Sequence, residues 1–419
     1  MNPPVAPDSA WTRRHWLKTV ALSAVAGACR RSVAAAPNSA RAPVVAVSDA
    51  HRKAWRAVIE DAITRKAIPG GALVVLSHGH VVFREAFGTA AFDSARPFTV
   101  DAPCFIASLT KPISATFMVM LHERGVISLD DPVDKYLPEF KGIRLKGAAP
   151  AAAMRVWHLL SHRSGLPGNA DPGDLQPPTM ATAERFSLAD AVAHYLEGGL
   201  LAEPGARFSY GHSGYMVAAR IAEVVLGQRY ERLLEENLLH PLGMMHTTFF
   251  PEPATLAAAP TRYLPSPAGP TRDTRVMPLP RRGGLINPAG GLCSRLDDMA
   301  AFVALHLNRG RAADKPLIAA SQLARMYRPH PPRATETAEG GGTGYGLGWN
   351  VIAAGKIVRH LGASGTLAWL DLEHQHAGVL LTQVKWGAGN RPLIPRLMKE
   401  VQTSFAGPAE SARNSGSRD

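Results

Sequence analysis

The chain has 419 residues, 46% of them hydrophobic and 19% charged, which fits a globular protein with one or two sizeable cores and excludes an extended disordered one. Its formal net charge is +12, but five cations against one acid in the first 36 residues hold a third of that excess. The remaining Lys and Arg are scattered, without the dense basic runs or interleaved aromatics that stack and hold bases, so no nucleic-acid partner is expected.

Residues 12–28, TRRHWLKTVALSAVAGA, set a twin arginine before a short run of small apolar residues, the pattern of a twin-arginine export leader. Residues 1–36 therefore read as an export signal, and the mature protein as periplasmic or held at the cell envelope. The AGAC stretch ending at Cys29 resembles a lipoprotein site, which leaves a lipid tether open beside cleavage in VAAA. Cys104 and Cys293, the two cysteines beyond the leader, read as buried apolar thiols. Next, HRKAWRAVIEDAITRKAI (51–68) repeats apolar residues at 54, 55, 58, 59, 62 and 63, a helical stripe. GGALVVLSHGHVVFREAFG then reads as a hairpin turning at Ser-His-Gly-His.

A helix is expected over 112–125. The middle, from about 130 to 310, is rich in Pro and Gly and holds helical pieces such as SLADAVAHYLEGG and GYMVAARIAEVVLG. KIVRHLGASGTLAWLDLEHQHAGVLLTQV reads as strands joined by turns, with a helix around 391–404 after it. Strands thus cluster at both chain ends and helices in the middle. The implied fold is α+β: an antiparallel sheet built from both chain ends, flanked by helices, with a largely helical inserted subdomain. One domain is expected over 45–406, followed by a disordered polar tail over 407–419.

The stretch ASLTK, Ala107 to Lys111, carries the chemistry. If a helix begins near Ser108, then Ser108 and Lys111 lie one turn apart on one face, and Pro112 falls in the first turn, where a missing N–H does no harm. A serine hydroxyl is a weak nucleophile until a neighbour accepts its proton, and a lysine does so when burial disfavours its ammonium. Chance alone places about one or two S-x-x-K spacings in a chain this long, so the spacing is weak by itself.

Other segments strengthen it. IPGGALVVL, SLTKPISATFMV, RGVISLDDPVDKYLPEF, WHLLSHRSGLP, FSYGHSGYMVAARIAEVVLG, LLHPLGMMHTTF, NPAGGLCSRLDDMAAFV, YGLGWNV and HLGASGTLAWLD follow one another from about residue 55 to 405. Together they resemble the serine β-lactamase and penicillin-binding-protein-like hydrolase family, on the class C β-lactamase and family VIII esterase side. The resemblance implies three motifs: S-x-x-K at Ser108 and Lys111, Y-x-N at Tyr210-Gly211-His212, and the K-T-G or H-x-G element at His360-Leu361-Gly362. It implies Ser108 as nucleophile, Lys111 and Tyr210 as the proton-transfer pair, and the N–H groups of Ser108 and Ala363 as an oxyanion hole. His212, His360 and Gly362 are expected to line the substrate pocket, with His360 opposite Ser108. His212 departs from the pattern, because asparagine is usual there. An amide donor and acceptor is replaced by a ring with one of each in another geometry, which disfavours amide and lactam recognition more than ester hydrolysis.

The expected function is a serine hydrolase working through an acyl-serine intermediate on small carboxylic esters, with β-lactams or D-amino-acid peptides behind. The alternative is a non-catalytic cell-wall-binding relative whose altered motif has stopped turnover. No cofactor is expected, since no phosphate-binding Gly-rich loop appears. The pairs His78-Gly79-His80 and His374-Gln375-His376 lack a visible third ligand, so no metal is expected. His158 and His162 read as packing or capping residues.

Overall fold

In the chain's computed structural model the described residues are 47–168, 186–274, 282–313, 315–329, 344–352 and 355–405. The leader, Cys29 and the 407–419 tail lie outside them. Helix α1 (Asp49–Thr64) starts where the Ser48 hydroxyl accepts from the His51 N–H, and it buries Trp55, Val58, Ile59 and Ala62, four positions of the apolar stripe. Strand β1 (Gly70–Ser77) returns as β2 (His80–Gly88) through His78 and Gly79, which both have positive φ. That two-residue turn matches the right-handed twist of the strands.

The chain then leaves the sheet for its helical region. Its helices include α2 (Thr110–Glu123), α3 (Val156–Leu160), α4 (Leu188–Gly198), α5 (Ser213–Leu226) and α6 (Leu296–Leu307). It comes back as β3 (Gly344–Tyr345), β4 (Asn350–Ile352), β5 (Ile357–Gly362), β6 (Thr366–Asp371) and β7 (His376–Leu381), and ends its described part in α7 (Leu393–Phe405). The seven strands run in the order β2-β1-β7-β6-β5-β4-β3, with every neighbouring pair antiparallel. The first strand therefore pairs with the last, from Ala72 opposite Leu381 to Ser77 opposite His376.

Residues of β1 alternate between two cores, because successive side chains of a strand face opposite ways. Ala72, Val74 and Leu76 join a large cluster with α2, α5 and α6. Leu73 and Val75 join a second cluster with Trp55 and Ile59 of α1 and Leu393, Leu397 and Val401 of α7. The sheet is thus covered on both faces, by the terminal helices on one and the helical region on the other. The expected α+β architecture holds. Cys104 and Cys293 are free and buried, and burial pushes the Cys293 thiol up to about 12. No helix of the described residues is long and apolar enough to cross a membrane.

Candidate active site

Helix α2 is buried continuously from Thr110 to Leu121. An element enclosed on all sides gives whatever precedes it a fixed address. Ser108 sits there, in a tight 3-10 turn over Ala107–Leu109, and Pro112 is the third residue of α2, inside its first turn. Ala107 holds φ at 45°, a left-handed conformation that a side chain disfavours and that surroundings must impose. The surroundings are visible. The Ile106 N–H donates to Leu292 O at 3.0 Å, the Thr366 hydroxyl to Ile106 O at 2.9 Å, and the Ser364 hydroxyl to Phe105 O.

Lys111 has no exposed surface. Its Nζ donates to Ser108 Oγ at 3.2 Å and to Ala289 O at 2.9 Å. Two aromatic rings close over the ammonium, Tyr210 with its centroid at 4.5 Å and Tyr215 at 5.8 Å, a placement in which the ring faces offset part of the lost hydration. The Tyr210 ring, distant in sequence, thus lies over the amine that contacts Ser108.

Tyr210 is held from behind by His162, a residue expected from sequence to pack or cap. His162 accepts the Gly211 N–H on Nδ1 at 3.3 Å, its carbonyl accepts the Ser209 N–H at 2.8 Å, and its ring centroid lies 4.5 Å from that of Tyr210. Both neighbours of Tyr210 are thus tied to one residue. His158 is a capping residue, taking the Arg155 N–H on Nδ1.

His212 lies half-buried within the field of the Lys111 charge, and the structure adds a partner not singled out from sequence, Asn287. Asn287 Oδ1 accepts the Ala289 N–H at 2.9 Å, which turns its amide nitrogen toward His212 Nδ1 at 3.4 Å. An amide nitrogen only donates, so Nδ1 of His212 is the acceptor and Nε2 carries the proton. His212 thereby offers one N–H donor, in place of the donor and acceptor of an asparagine.

His360 requires a correction. It does not line the pocket: it is 1% exposed. Its Nδ1–H donates to Leu361 O at 2.9 Å, so Nε2 accepts from the Tyr345 hydroxyl, also at 2.9 Å. The ring lies behind Tyr210, with centroids 6.2 Å apart. Gly362 also acts differently from expectation. A Cβ there would stand 2.3 Å from Ile106 O and 2.0 Å from the Thr366 hydroxyl, so the missing side chain lets β5 reach the segment that leads into the Ser108 turn. Ala363 follows it in an exposed turn next to Ser364, whose hydroxyl fixes Phe105 O.

The electrostatics are consistent. Burial, and then the Lys111 ammonium, hold His212 and His360 down at about 3. His162 is pushed well below its ordinary value by the same two causes first, and burial alone takes His306 down to about 3. All four imidazoles are neutral in the fold. Below about pH 6.5 the unfolded chain takes up protons that the native one refuses, so the native state is favoured less as pH falls from 6.5 toward 3. Each group adds a slope of up to about 1.4 kcal/mol per pH unit. Melting followed by circular dichroism is expected to show a plateau in Tm above pH 7 and a steep fall between pH 6 and 4; a flat profile there would refute neutral buried histidines.

A buried amine on a serine hydroxyl, a phenol over the amine and a strand end beside them form an arrangement suited to acyl transfer. Residues 55–403 match the Beta-lactamase family. The chain belongs to that family. Penicillin-binding protein 4 of Amycolatopsis lactamdurans is 28% identical over 323 residues, 74% of this chain and 79% of that protein. Esterase EstB of Burkholderia gladioli is 28% identical over 246 residues, 55% of this chain and 57% of that protein. Among solved structures, EstCE1, a hydrolase with promiscuous acyltransferase activity, superposes with a TM-score of 0.71 at 23% identity, covering 84% of this chain and all of that one. The family and its fold are those of serine hydrolases acting on small ester, amide or peptide substrates.

Proposed function

We propose that the protein is an esterase that cleaves small carboxylic esters through an acyl-Ser108 intermediate. Ser108 Oγ attacks the ester carbonyl carbon while its proton passes to the Tyr210 oxygen, which the Lys111 ammonium keeps available as a base. Tyr210 delivers a proton to the departing alcohol oxygen as the C–O bond breaks, and water then releases the acid by the reverse relay. The Ser108 and Ala363 N–H groups are assigned to the developing oxyanion. The observation that carries this reading is the 3.2 Å contact between a fully buried Lys111 Nζ and Ser108 Oγ. The preference for esters rests on His212, whose one N–H suits a carbonyl oxygen and offers no acceptor to an amide N–H. Similarity to a protein named an esterase and to EstCE1 agrees with it. Export of the mature enzyme, read from the leader alone, remains part of the proposal.

The test is mass spectrometry of the intact protein with a fluorophosphonate, p-nitrophenyl esters, a cephalosporin and a D-Ala-D-Ala peptide. Stoichiometric labelling and fast ester turnover are expected, with little or no peptide adduct. An unlabelled protein would return the chain to the non-catalytic wall-binding alternative, which no contact in the site favours. His212→Asn is expected to raise β-lactam turnover relative to ester turnover by about tenfold, on the order of one added hydrogen bond. An unchanged ratio would remove His212 from the specificity argument.

A further inference from the structure

At the other end of β6 from Thr366 the sheet holds a second polar cluster. Five residues of strand, roughly 17 Å at 3.4 Å each, separate it from the Ser108 site. Asp371 closes β6 and His376 opens β7, paired directly across the ladder, with His374 in the turn between them. One ligand atom from each lies within 4.8 Å of the others. Asp371 Oδ2 is 3.0 Å from His374 Nδ1 and 3.2 Å from His376 Nε2. Asp371 and His376 are each 1% exposed, and among the described residues Nδ1 of His376 has no hydrogen-bond partner while its Nε2 faces only Asp371 Oδ2. A buried imidazole with one nitrogen on a carboxylate oxygen and the other unmatched calls for an explanation.

We propose that Asp371, His374 and His376 bind one divalent transition-metal ion of the zinc class. Two imidazoles and a carboxylate are the ligand types such ions take, and imidazole disfavours calcium and magnesium. Bonds of 2.0–2.1 Å in a tetrahedron place ligand atoms about 3.3 Å apart, close to the two separations found. The outer contacts also suit a ligand set. Asp371 Oδ1 accepts the N–H groups of Glu373 and His374 at 3.1 and 2.9 Å, while Oδ2 faces the two histidine nitrogens that would join it on the ion. Once Nε2 of His376 binds, its Nδ1–H needs an acceptor. Ser77, opposite His376 in the ladder, has a buried hydroxyl that is itself without a partner. The His374 side chain is 23% exposed, so the fourth position opens toward water. The ion ties together the turn that joins β6 to β7, far from the nucleophile, and acts on stability.

The test uses the tag-free full-length protein, stripped with a chelator and titrated with Zn²⁺ by calorimetry and with Co²⁺ by visible absorption. One equivalent is expected, with tetrahedral d–d bands for Co²⁺ and a Tm rise of about 3–5 °C at a hundredfold excess over Kd. His374→Ala, a change in a partly exposed turn, is expected to weaken uptake about 100-fold or more while leaving ester turnover unchanged. Asp371→Asn keeps the oxygen that accepts the turn's N–H groups and serves as a second variant that loses the ion but retains the fold. His78→Ala is expected to bind as the parent does. No stoichiometric uptake, or uptake equal in the parent and His374→Ala, overturns the proposal.

Discussion

Ser108→Ala is expected to lower p-nitrophenyl ester turnover by about 10⁴-fold or more, and to abolish fluorophosphonate labelling, while the protein melts within about 2 °C of the parent. The first part follows from the chemistry: without Oγ no acyl-enzyme forms, and what survives is the modest assistance of bound water in a preorganised site. The second follows from the packing. Ser108 is 9% exposed and its turn is fixed from outside by Leu292, Ser364 and Thr366. Losing one hydroxyl removes a hydrogen bond of about 1 kcal/mol, a small shift for a chain of this size. Lys111 keeps its bond to Ala289 O, so the buried ammonium is not stranded. Kinetics and thermal melting on the same preparation decide the matter. Retention of more than about 1% of turnover would move the nucleophile elsewhere.

The fold was legible where one physical period dominated. Trp55, Val58, Ile59 and Ala62 announce α1 by spacing alone, and the β1–β2 hairpin by two apolar runs around His78-Gly79. Ser108 and Lys111 were legible because one helical turn is a local relation. His360 was not. In β5 it lies two residues before Gly362, on the same face, and strand alternation puts both toward the site. What alternation does not contain is the Tyr345 hydroxyl on Nε2 and the Tyr210 ring in front, supplied by other segments. Asn287 was missed for the same reason. It meets His212 across 75 residues of chain, and its local signal, the Asn-Pro-Ala-Gly-Gly turn, does not name that partner. Asp371 likewise joins the His374-x-His376 pair through strand register, which the pair's spacing does not disclose.

Lys111→Met is expected to cut kcat/KM by about 10³-fold or more with no loss of stability, because the same burial that suits the amine to its task makes it a poor structural residue. On the proposed mechanism the Lys111 cation keeps Tyr210 able to accept the Ser108 proton, general-base assistance is worth about 10²–10⁴, and Lys111 also positions Tyr210 through the 4.5 Å ring contact. Methionine matches the length of the side chain and suits an enclosed cavity, and removing a fully buried ammonium relieves desolvation, at the expense of the Ala289 carbonyl's partner. Tm is therefore expected to stay level or rise. A structural lysine predicts the opposite, a fall of several degrees with activity following it down. A second readout separates the two. The Lys111 charge is, after burial, the next cause that keeps His162, His212 and His360 neutral. Without it these rings regain part of their proton affinity, the gap between native and unfolded protonation narrows, and the fall of Tm between pH 6 and 4 becomes shallower. A variant that is inactive and no less stable, with a flattened acid limb, fits only an ammonium lodged among those rings; an acid limb as steep as the parent's would mean that the charge sits elsewhere.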